Sequence, residues 1–230
     1  MYAFMTLLAA TVEAGLTAVA RKVQSVRTRR TVRKALPQSC VDLVGQLGAR
    51  GKIKPSEIFA HAAEGPEGTV TAPFSGAECV WYVVRVREKF WAWGPGPFGP
   101  QKVERSVKAV DHVSGPLVIV DHTGNVQVDP TGAEFELGEP AFSGFDAREG
   151  DGALYGRMSE LLGEPLRIRH RRMTTGFLIE EWIVTEGEEL RIVGRARGDR
   201  GLGSGAELVI AKARRRPLLV AKPTPAPAPL

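Results

Sequence analysis

The chain has 230 residues, of which 43% are hydrophobic and 25% are charged. This composition excludes an intrinsically disordered protein, and the length is sufficient for one sizeable domain with extensions. The net charge is +5, with the basic excess mainly in residues 21–34 and 212–216, and such clusters can contact anionic lipid, nucleic acid or only solvent. The two cysteines, Cys40 and Cys79, are too few for a tetrahedral zinc site or a disulfide framework. We therefore expect a reducing compartment and no cofactor.

The N-terminal segment has the length and composition of a membrane helix. Residues 1–20 contain one charged side chain, Glu13, and as a helix they would extend about 30 Å, near the thickness of a bilayer core. Because a carboxylate near mid-bilayer is costly, a surface-bound helix or an ordinary core helix remains an alternative. A basic collar follows, composed of Arg21, Lys22, Arg27, Arg29, Arg30, Arg33 and Lys34. By the positive-inside rule, this collar would keep the main domain on the cytoplasmic side of a membrane.

After a short helical connector, the rest of the chain is predicted to form mainly strands. Between Val80 and Phe90, apolar and basic residues alternate with a period of two, which predicts a half-buried antiparallel strand. Turn-forming residues separate the predicted strands, which are 57–62, 80–90, 102–110, 117–120, 126–128, two within 165–196, and 207–211. Residues 92–99 are rich in Gly and Pro and predict a loop, and residues 131–162 predict mostly connection with a short helix near Tyr155–Leu162.

This order of elements predicts the fold class. Helical stretches long enough for repeated crossovers are missing from the middle of the chain. We therefore predict a mainly β fold, a small antiparallel barrel or sandwich, with an N-terminal helix and minor α elements. The final residues, 222–230, are rich in proline and predict an extended tail.

No catalytic constellation stands out in the sequence. Asp121 and His122 fall in a predicted tight turn, where Asp is needed for the turn itself. The adjacent Glu180 and Glu181 should point to opposite faces of a strand, which is unsuitable for a carboxylate pair. Residues 201–206 match a dinucleotide-binding glycine pattern, but no amphipathic helix follows, so a flexible turn is expected.

Three ordered motifs carry a family resemblance. The first is a Pro-Phe-Ser-Gly turn followed by Cys-Val-Trp, the second an Asp-x-Thr-Gly-x-Val hairpin, and the third a Glu followed by Gly-Glu-x-Leu-x-Ile-x-Gly. Their positions are Pro73, Ser75, Gly76, Cys79, Trp81, Asp121, Gly124, Glu181, Gly187 and Gly194. Together they resemble the GIDE domain, also called the beside-a-membrane domain, over roughly residues 57–211.

The resemblance implies a domain beside a membrane. Relatives in this family include RING-type ubiquitin ligases, in which ubiquitin transfer depends on a separate RING domain with cysteine and histidine zinc ligands. This sequence contains no such cluster, so it resembles the bacterial, or more broadly prokaryotic, type that lacks the RING. The expected organisation is an N-terminal helix and possible membrane anchor (1–35), a short helical connector (36–56), a GIDE-like β domain (57–212) and a basic, then proline-rich tail (213–230).

Three hypotheses for function follow. The leading one is a non-catalytic sensing or protein-interaction module, held at a membrane by its N-terminal segment and binding an unidentified protein partner. The second is a subunit of a ubiquitin ligase-like system, with Cys79 as the cysteine inside a family motif. The third is nucleic-acid binding through Arg167, Arg169, Arg171 and Arg172, which we regard as the weakest because the sequence does not show the stacked aromatics or basic groove that it needs.

Overall fold

The computed structural model of the chain describes residues 35–43, 56–96, 99–147, 152–166, 173–198, 208–211 and 218–223. In chain order the strands are β1 (Leu36–Pro37), β2 (Ser56–Ala63), β3 (Val70–Thr71), β4 (Glu78–Cys79), β5 (Trp81–Gly96), β6 (Gly99–Val113), β7 (Leu117–Asp121), β8 (Gly124–Val128), β9 (Glu134–Glu136), β10 (Phe142–Ala147), β11 (Thr174–Val184), β12 (Glu189–Gly198), β13 (Leu208–Ala211) and β14 (Leu219–Ala221). One helix, α1, spans Ala153–Leu162, and residues 40–43 are also helical. The predicted mainly β fold is confirmed.

The described residues belong to two compact units. The barrel unit contains the described residues within 35–82, 113–140 and 182–223, and the sheet unit contains the described residues within 83–112 and 141–181. The chain passes from one unit to the other within β5 and β11 and at the end of β6. Each unit is built from residues that are distant in the sequence.

The barrel unit closes five strands into a ring. The order is β2-β7-β8-β13-β12, and β12 pairs back onto β2 in antiparallel register from Glu189↔His61 to Gly194↔Ser56. One neighbouring pair in the ring, β8 with β13, is parallel. Outside the ring, β1 pairs with β2 in parallel. On the other side, β14 pairs with both β12 and β9.

Alternating side chains fill the barrel. On β2 the residues Ile58, Ala60 and Ala62 are buried, whereas Phe59 and His61 between them are exposed. Leu190 and Ile192 on β12 are likewise fully buried, as are Leu117 and Ile119 on β7. A small barrel leaves an interior just wide enough for side chains, so this alternation produces a packed core.

The sheet unit contains four strands in the order β10-β11-β5-β6 and the helix α1. On β5, Val84, Val86 and Glu88 are buried and the residues between them are partly exposed, so the alternation predicted for this strand is confirmed. The helix buries Met158 and packs the Tyr155 ring against Phe177, with 5.4 Å between ring centroids. Asp146 on β10 accepts the Tyr155 N–H at 2.8 Å, which satisfies one of the free donors at the start of the helix.

Two local predictions were wrong. Residues 92–96, expected in a loop, continue β5, and β6 begins at Gly99. Pro100 is tolerated on β6 because β6 is an edge strand, where not every backbone N–H is needed for pairing. The connection expected over 131–162 also contains two strands, β9 and β10, and each is short enough to lack a clear alternating pattern.

Several predictions fall on residues that are not described. These are the N-terminal segment and basic collar within 1–34, most of the helical connector, Arg167–Arg172 and the glycine-rich residues 201–206. No helix in the described part of the chain is long and apolar enough to cross a membrane. The proposed domain boundaries and the location at a membrane stay predictions.

Candidate functional site

The first motif forms the turn that joins β3 to β4. The Ala72 N–H donates to Ala77 O at 2.9 Å and the Gly76 N–H donates to Ala72 O at 3.0 Å. Gly76 has a φ of 72°, in the region that favours glycine, and Pro73 and Ser75 lie within the same turn. Cys79 follows on β4, buried, with its Sγ 3.5 Å from Val70 O on β3. The motif therefore fixes the β3–β4 turn and places the thiol inside the barrel unit.

Trp81 holds together three parts of the barrel unit. Its ring is fully buried and lies 5.6 Å from the Phe135 ring on β9. Its indole Nε1–H donates to Gly115 O, just before β7, at 2.9 Å. A buried indole needs such an acceptor, so both the position and the hydrogen bond of Trp81 are structural.

The second motif makes the connection most relevant to function. Asp121 lies at the end of β7, and its Oδ1 accepts the Thr123 and Gly124 N–H groups at 2.7 and 3.1 Å across the turn. Its Oδ2 accepts the Cys40 N–H at 2.8 Å. Thr123 Oγ1 accepts the next N–H, from Val41, at 3.0 Å. The turn thus accepts hydrogen bonds from the first two amides of the helical residues 40–43. Asp121 and Cys40 are 81 positions apart in the sequence.

The ionisation of this pair follows from the geometry. Partial burial opposes the charge on Asp121, but hydrogen bonds from Thr123 and Cys40 outweigh it and lower the pKa of Asp121 to about 2. Burial and then the nearby Asp121 carboxylate raise the pKa of the Cys40 thiol to about 12. At neutral pH the site therefore holds a carboxylate and a protonated thiol, and Cys40 is unsuited to nucleophilic chemistry.

The third motif contributes to barrel closure. Gly187 has a φ of 75°, its N–H donates to Ala62 O at 2.8 Å, and its carbonyl accepts from His61 Nδ1 at 3.1 Å. At Gly194 a Cβ would lie 2.6 Å from Ile210 and 2.8 Å from Leu218, so β12 can approach its neighbours only without a side chain there. Glu181 is fully buried on β11 in the sheet unit, and its carbonyl accepts the Ala141 N–H.

Glu180 and Glu181 behave differently, as expected for adjacent strand residues. Glu180 pairs with Arg87 on β5 at 3.1 Å, whereas Glu181 is buried. A third carboxylate, Glu88, is not among the candidate residues predicted from the sequence. It is fully buried and accepts a hydrogen bond from Thr174 Oγ1 at 2.5 Å. Its position on the apolar face of β5 was visible in the alternation, but nothing in the sequence pointed to Thr174.

The described motif positions do not converge on one reacting centre. Nine of the ten lie in the barrel unit and Glu181 lies in the sheet unit. The nine are distributed over the β3–β4 turn with β4, the first residue of β5, the β7–β8 turn, and β12 with the turn before it. Within the described residues, no three or more His, Cys, Asp or Glu side chains are grouped as ligands for a metal ion. The motifs shape turns, strand contacts and the connection to residues 40–43.

A family model described as E3 Ubiquitin ligase matches residues 104–226, which identifies a ubiquitin-ligase-related domain. That family is GIDE, and because the match covers just over half of the chain, the chain belongs to it. The comparisons with curated proteins and with solved structures found no match.

The matched range includes the second and third motifs and excludes the first. Asp121, Gly124, Glu181, Gly187 and Gly194 lie inside residues 104–226. The stretch from Pro73 to Trp81, which first suggested the family, precedes that range. The family match therefore covers the β7–β8 turn, β11 and β12, and does not cover the first motif.

Proposed function

We propose that the chain is a non-catalytic module of the GIDE family beside a membrane, where it acts in protein interaction or sensing on the cytoplasmic side. The proposal combines the family assignment with the composition of the N-terminal segment. A hydrophobic run followed by a basic collar has the pattern of a membrane-associated segment with the positive charge on the cytoplasmic side.

The hydrogen bonds of the β7–β8 turn are the observation that carries this proposal. Residues 40–43 begin only six positions after Lys34, the last residue of the collar. Asp121 and Thr123 fix the first two amides of these helical residues to the barrel unit. Since six residues span at most about 20 Å, a barrel joined in this way would stay close to any surface that the collar contacts.

Cell fractionation tests whether residues 1–34 attach the chain to a membrane. The full chain should sediment with membranes, whereas a larger share of a chain lacking residues 1–34 should appear in the soluble fraction. Equal partition of the two chains would contradict the proposal.

Charge reversal tests the collar in the full chain. Changing Arg29, Arg30 and Arg33 to Glu should weaken binding to vesicles containing phosphatidylserine by at least about tenfold, because each basic residue near an anionic surface contributes about 1 kcal/mol. The matched control changes Arg214, Arg215 and Arg216 to Glu, which alters the net charge equally. If both triple variants lose the same affinity, net charge and not the collar determines binding.

The family description favours one alternative function, participation in ubiquitin transfer. Cys79 is the candidate residue, and its buried Sγ against Val70 O makes it a poor nucleophile unless β3 and β4 separate. Incubation with ubiquitin-charged conjugating enzyme should give no thioester on the chain under our proposal. A thioester that Cys79→Ser abolishes and Cys40→Ser preserves would establish the alternative.

A further inference from the structure

One face of the sheet unit carries an unusual set of exposed aromatic and basic side chains. Lys89, Trp91 and Trp93 lie on the same face of β5, opposite to the buried Glu88, because successive strand residues alternate. Trp93 is 48% exposed, and Phe145 on β10 is also 48% exposed. We call this surface the aromatic-basic face.

Contacts across the strands hold these aromatic side chains in place. Lys89 Nζ lies 5.3 Å from the centre of the Phe145 ring, and Lys102 Nζ on β6 lies 4.9 Å from the centre of the Trp91 ring. A Cβ at Gly176 would lie 2.7 Å from the Phe145 ring, so this glycine on β11 makes the space that the ring occupies. The aromatic-basic face therefore extends from β10 to β6.

The ion pairs on this face leave it positively charged. Arg85 and Lys108 share Asp111, Arg87 pairs with Glu180, and Lys89 lies 3.8 Å from Glu104. With Lys102 included, the described residues that make these contacts comprise five cations and three carboxylates. Positive charge beside exposed tryptophan and phenylalanine is the combination that favours an anionic membrane interface.

The ring contacts argue against single-stranded nucleic acid as the ligand. Stacking platforms for bases need open ring faces. Here Lys102 lies over the Trp91 ring, and Lys89 lies over the Phe145 ring, which also contacts Gly176. Rings covered in this way still present apolar edges, while the lysine ammonium groups remain able to reach lipid phosphates.

We propose that the aromatic-basic face is a second membrane-contact surface, which places Trp93 and Phe145 in the interface of an anionic bilayer with Lys89 and Lys102 at the headgroups. This inference rests on the proposed membrane location and adds which surface of the folded protein touches the lipid. It is independent of the hydrogen bonds that join residues 40–43 to the barrel unit.

Tryptophan quenching by brominated lipid tests the contact in the full chain. The chain has four tryptophans and none of them precedes Trp81, so quenching reports on the folded units and not on the N-terminal segment. With vesicles of phosphatidylserine and brominated phosphatidylcholine, the wild-type emission should be quenched, and Trp93→Phe should remove at least about half of that quenching. Since Trp81 and Trp182 are buried, they contribute little.

A matched pair of phenylalanines provides the control. Phe145→Ser should weaken the quenching, whereas Phe59→Ser in the barrel unit, where Phe59 is 49% exposed, should leave it unchanged. Burial of half a phenylalanine side chain corresponds to roughly a threefold to tenfold change in binding. The wild-type measurement remains informative even if one variant fails to fold.

The following outcomes would each contradict the inference. A full chain that sediments with vesicles without tryptophan quenching would refute the second contact and leave the proposed membrane location intact, whereas no sedimentation at all would refute both. Equal quenching with and without phosphatidylserine would refute the anionic lipid. Binding of a single-stranded oligonucleotide that Trp93→Phe abolishes, without lipid quenching, would assign the face to nucleic acid instead.

Discussion

Asp121 connects two parts of the chain through a single side chain. Its two oxygens accept N–H groups from its own turn and from Cys40. A carboxylate that accepts the first amide of a helical segment satisfies a donor that has no partner within the helix. The Asp-x-Thr-Gly pattern therefore has two roles, closing a hairpin and fixing residues 40–43.

Removal of this carboxylate should destabilise the protein. We expect Asp121→Ala to lower the free energy of unfolding by about 1–2 kcal/mol, the range for loss of a capping side chain. Urea denaturation of the full chain at neutral pH measures this change. The control is Asp129→Ala, because the Asp129 side chain accepts the Thr131 N–H within its own turn at 3.0 Å. An equal loss in both variants would show that the link to Cys40 contributes nothing.

The same carboxylate should give a defined acid dependence. Its pKa is lowered to about 2 in the folded chain, against about 3.9 for an unperturbed Asp. Its contribution is therefore fully present above pH 4 and is lost as the pH falls towards 2, because the unfolded chain binds the proton first. Asp121→Asn should show a shallower loss of stability over this interval than the wild type, and identical slopes would contradict the assignment.

At the scale of elements, β12 connects three strands of the barrel unit, since it pairs with β2, β13 and β14. Close approach at Gly194 makes this arrangement possible. The helix α1 presents the opposite case, because Gly156 lies inside it with no heavy atom within 4 Å of an added Cβ. Position 194 therefore leaves no room for a side chain, whereas position 156 does.

Alanine substitution should separate these two glycines. Gly194→Ala should destabilise the chain by roughly 1–3 kcal/mol, since the methyl group would overlap Ile210 and Leu218. Gly156→Ala should stabilise it by about 0.5–1 kcal/mol, because alanine is the better helix former. Thermal melts of both variants against the wild type measure the two signs. A stabilised Gly194→Ala would mean that β12 can shift without cost.

At the scale of the whole chain, the last described strand completes the barrel unit. Leu218, Leu219 and Val220 are buried, and β14 joins β12 to β9 in the same sheet. The sequence predicts a basic and proline-rich tail here, because a short apolar run between basic residues and prolines gives no periodic signal.

Truncation distinguishes the strand from the tail. A chain ending at Pro223 should keep the stability of the full chain, whereas a chain ending at Pro217 should lose more than about 3 kcal/mol or fail to fold. Burial of each large apolar side chain contributes about 1.5–3 kcal/mol, and two leucines and a valine are removed. Circular dichroism and urea denaturation of the two chains measure the difference. Equal stability would show that β14 is dispensable.

Much of the local structure could be predicted from residue patterns. The alternation in β5, the hairpin of β7 and β8, the helix α1 and the strands β11 and β12 all follow from short-range rules. Short strands such as β9 and β14 were not predicted, because three residues are too few to show the period of two that is typical of a strand. Their pairing partners, β14 for β9 and β12 for β14, are supplied by tertiary contact alone.

The sequence by itself determined the family, the β class and the turn at Asp121, because each depends on neighbouring residues and the spacing between them. Only the tertiary structure decided that this turn binds Cys40, that Glu88 meets Thr174, and that Lys89 lies over Phe145. These pairs are separated by 81, 86 and 56 positions, and no local propensity encodes a contact between them. Strand order and barrel closure bring such residues together, so the candidate surfaces of this protein are consequences of its fold.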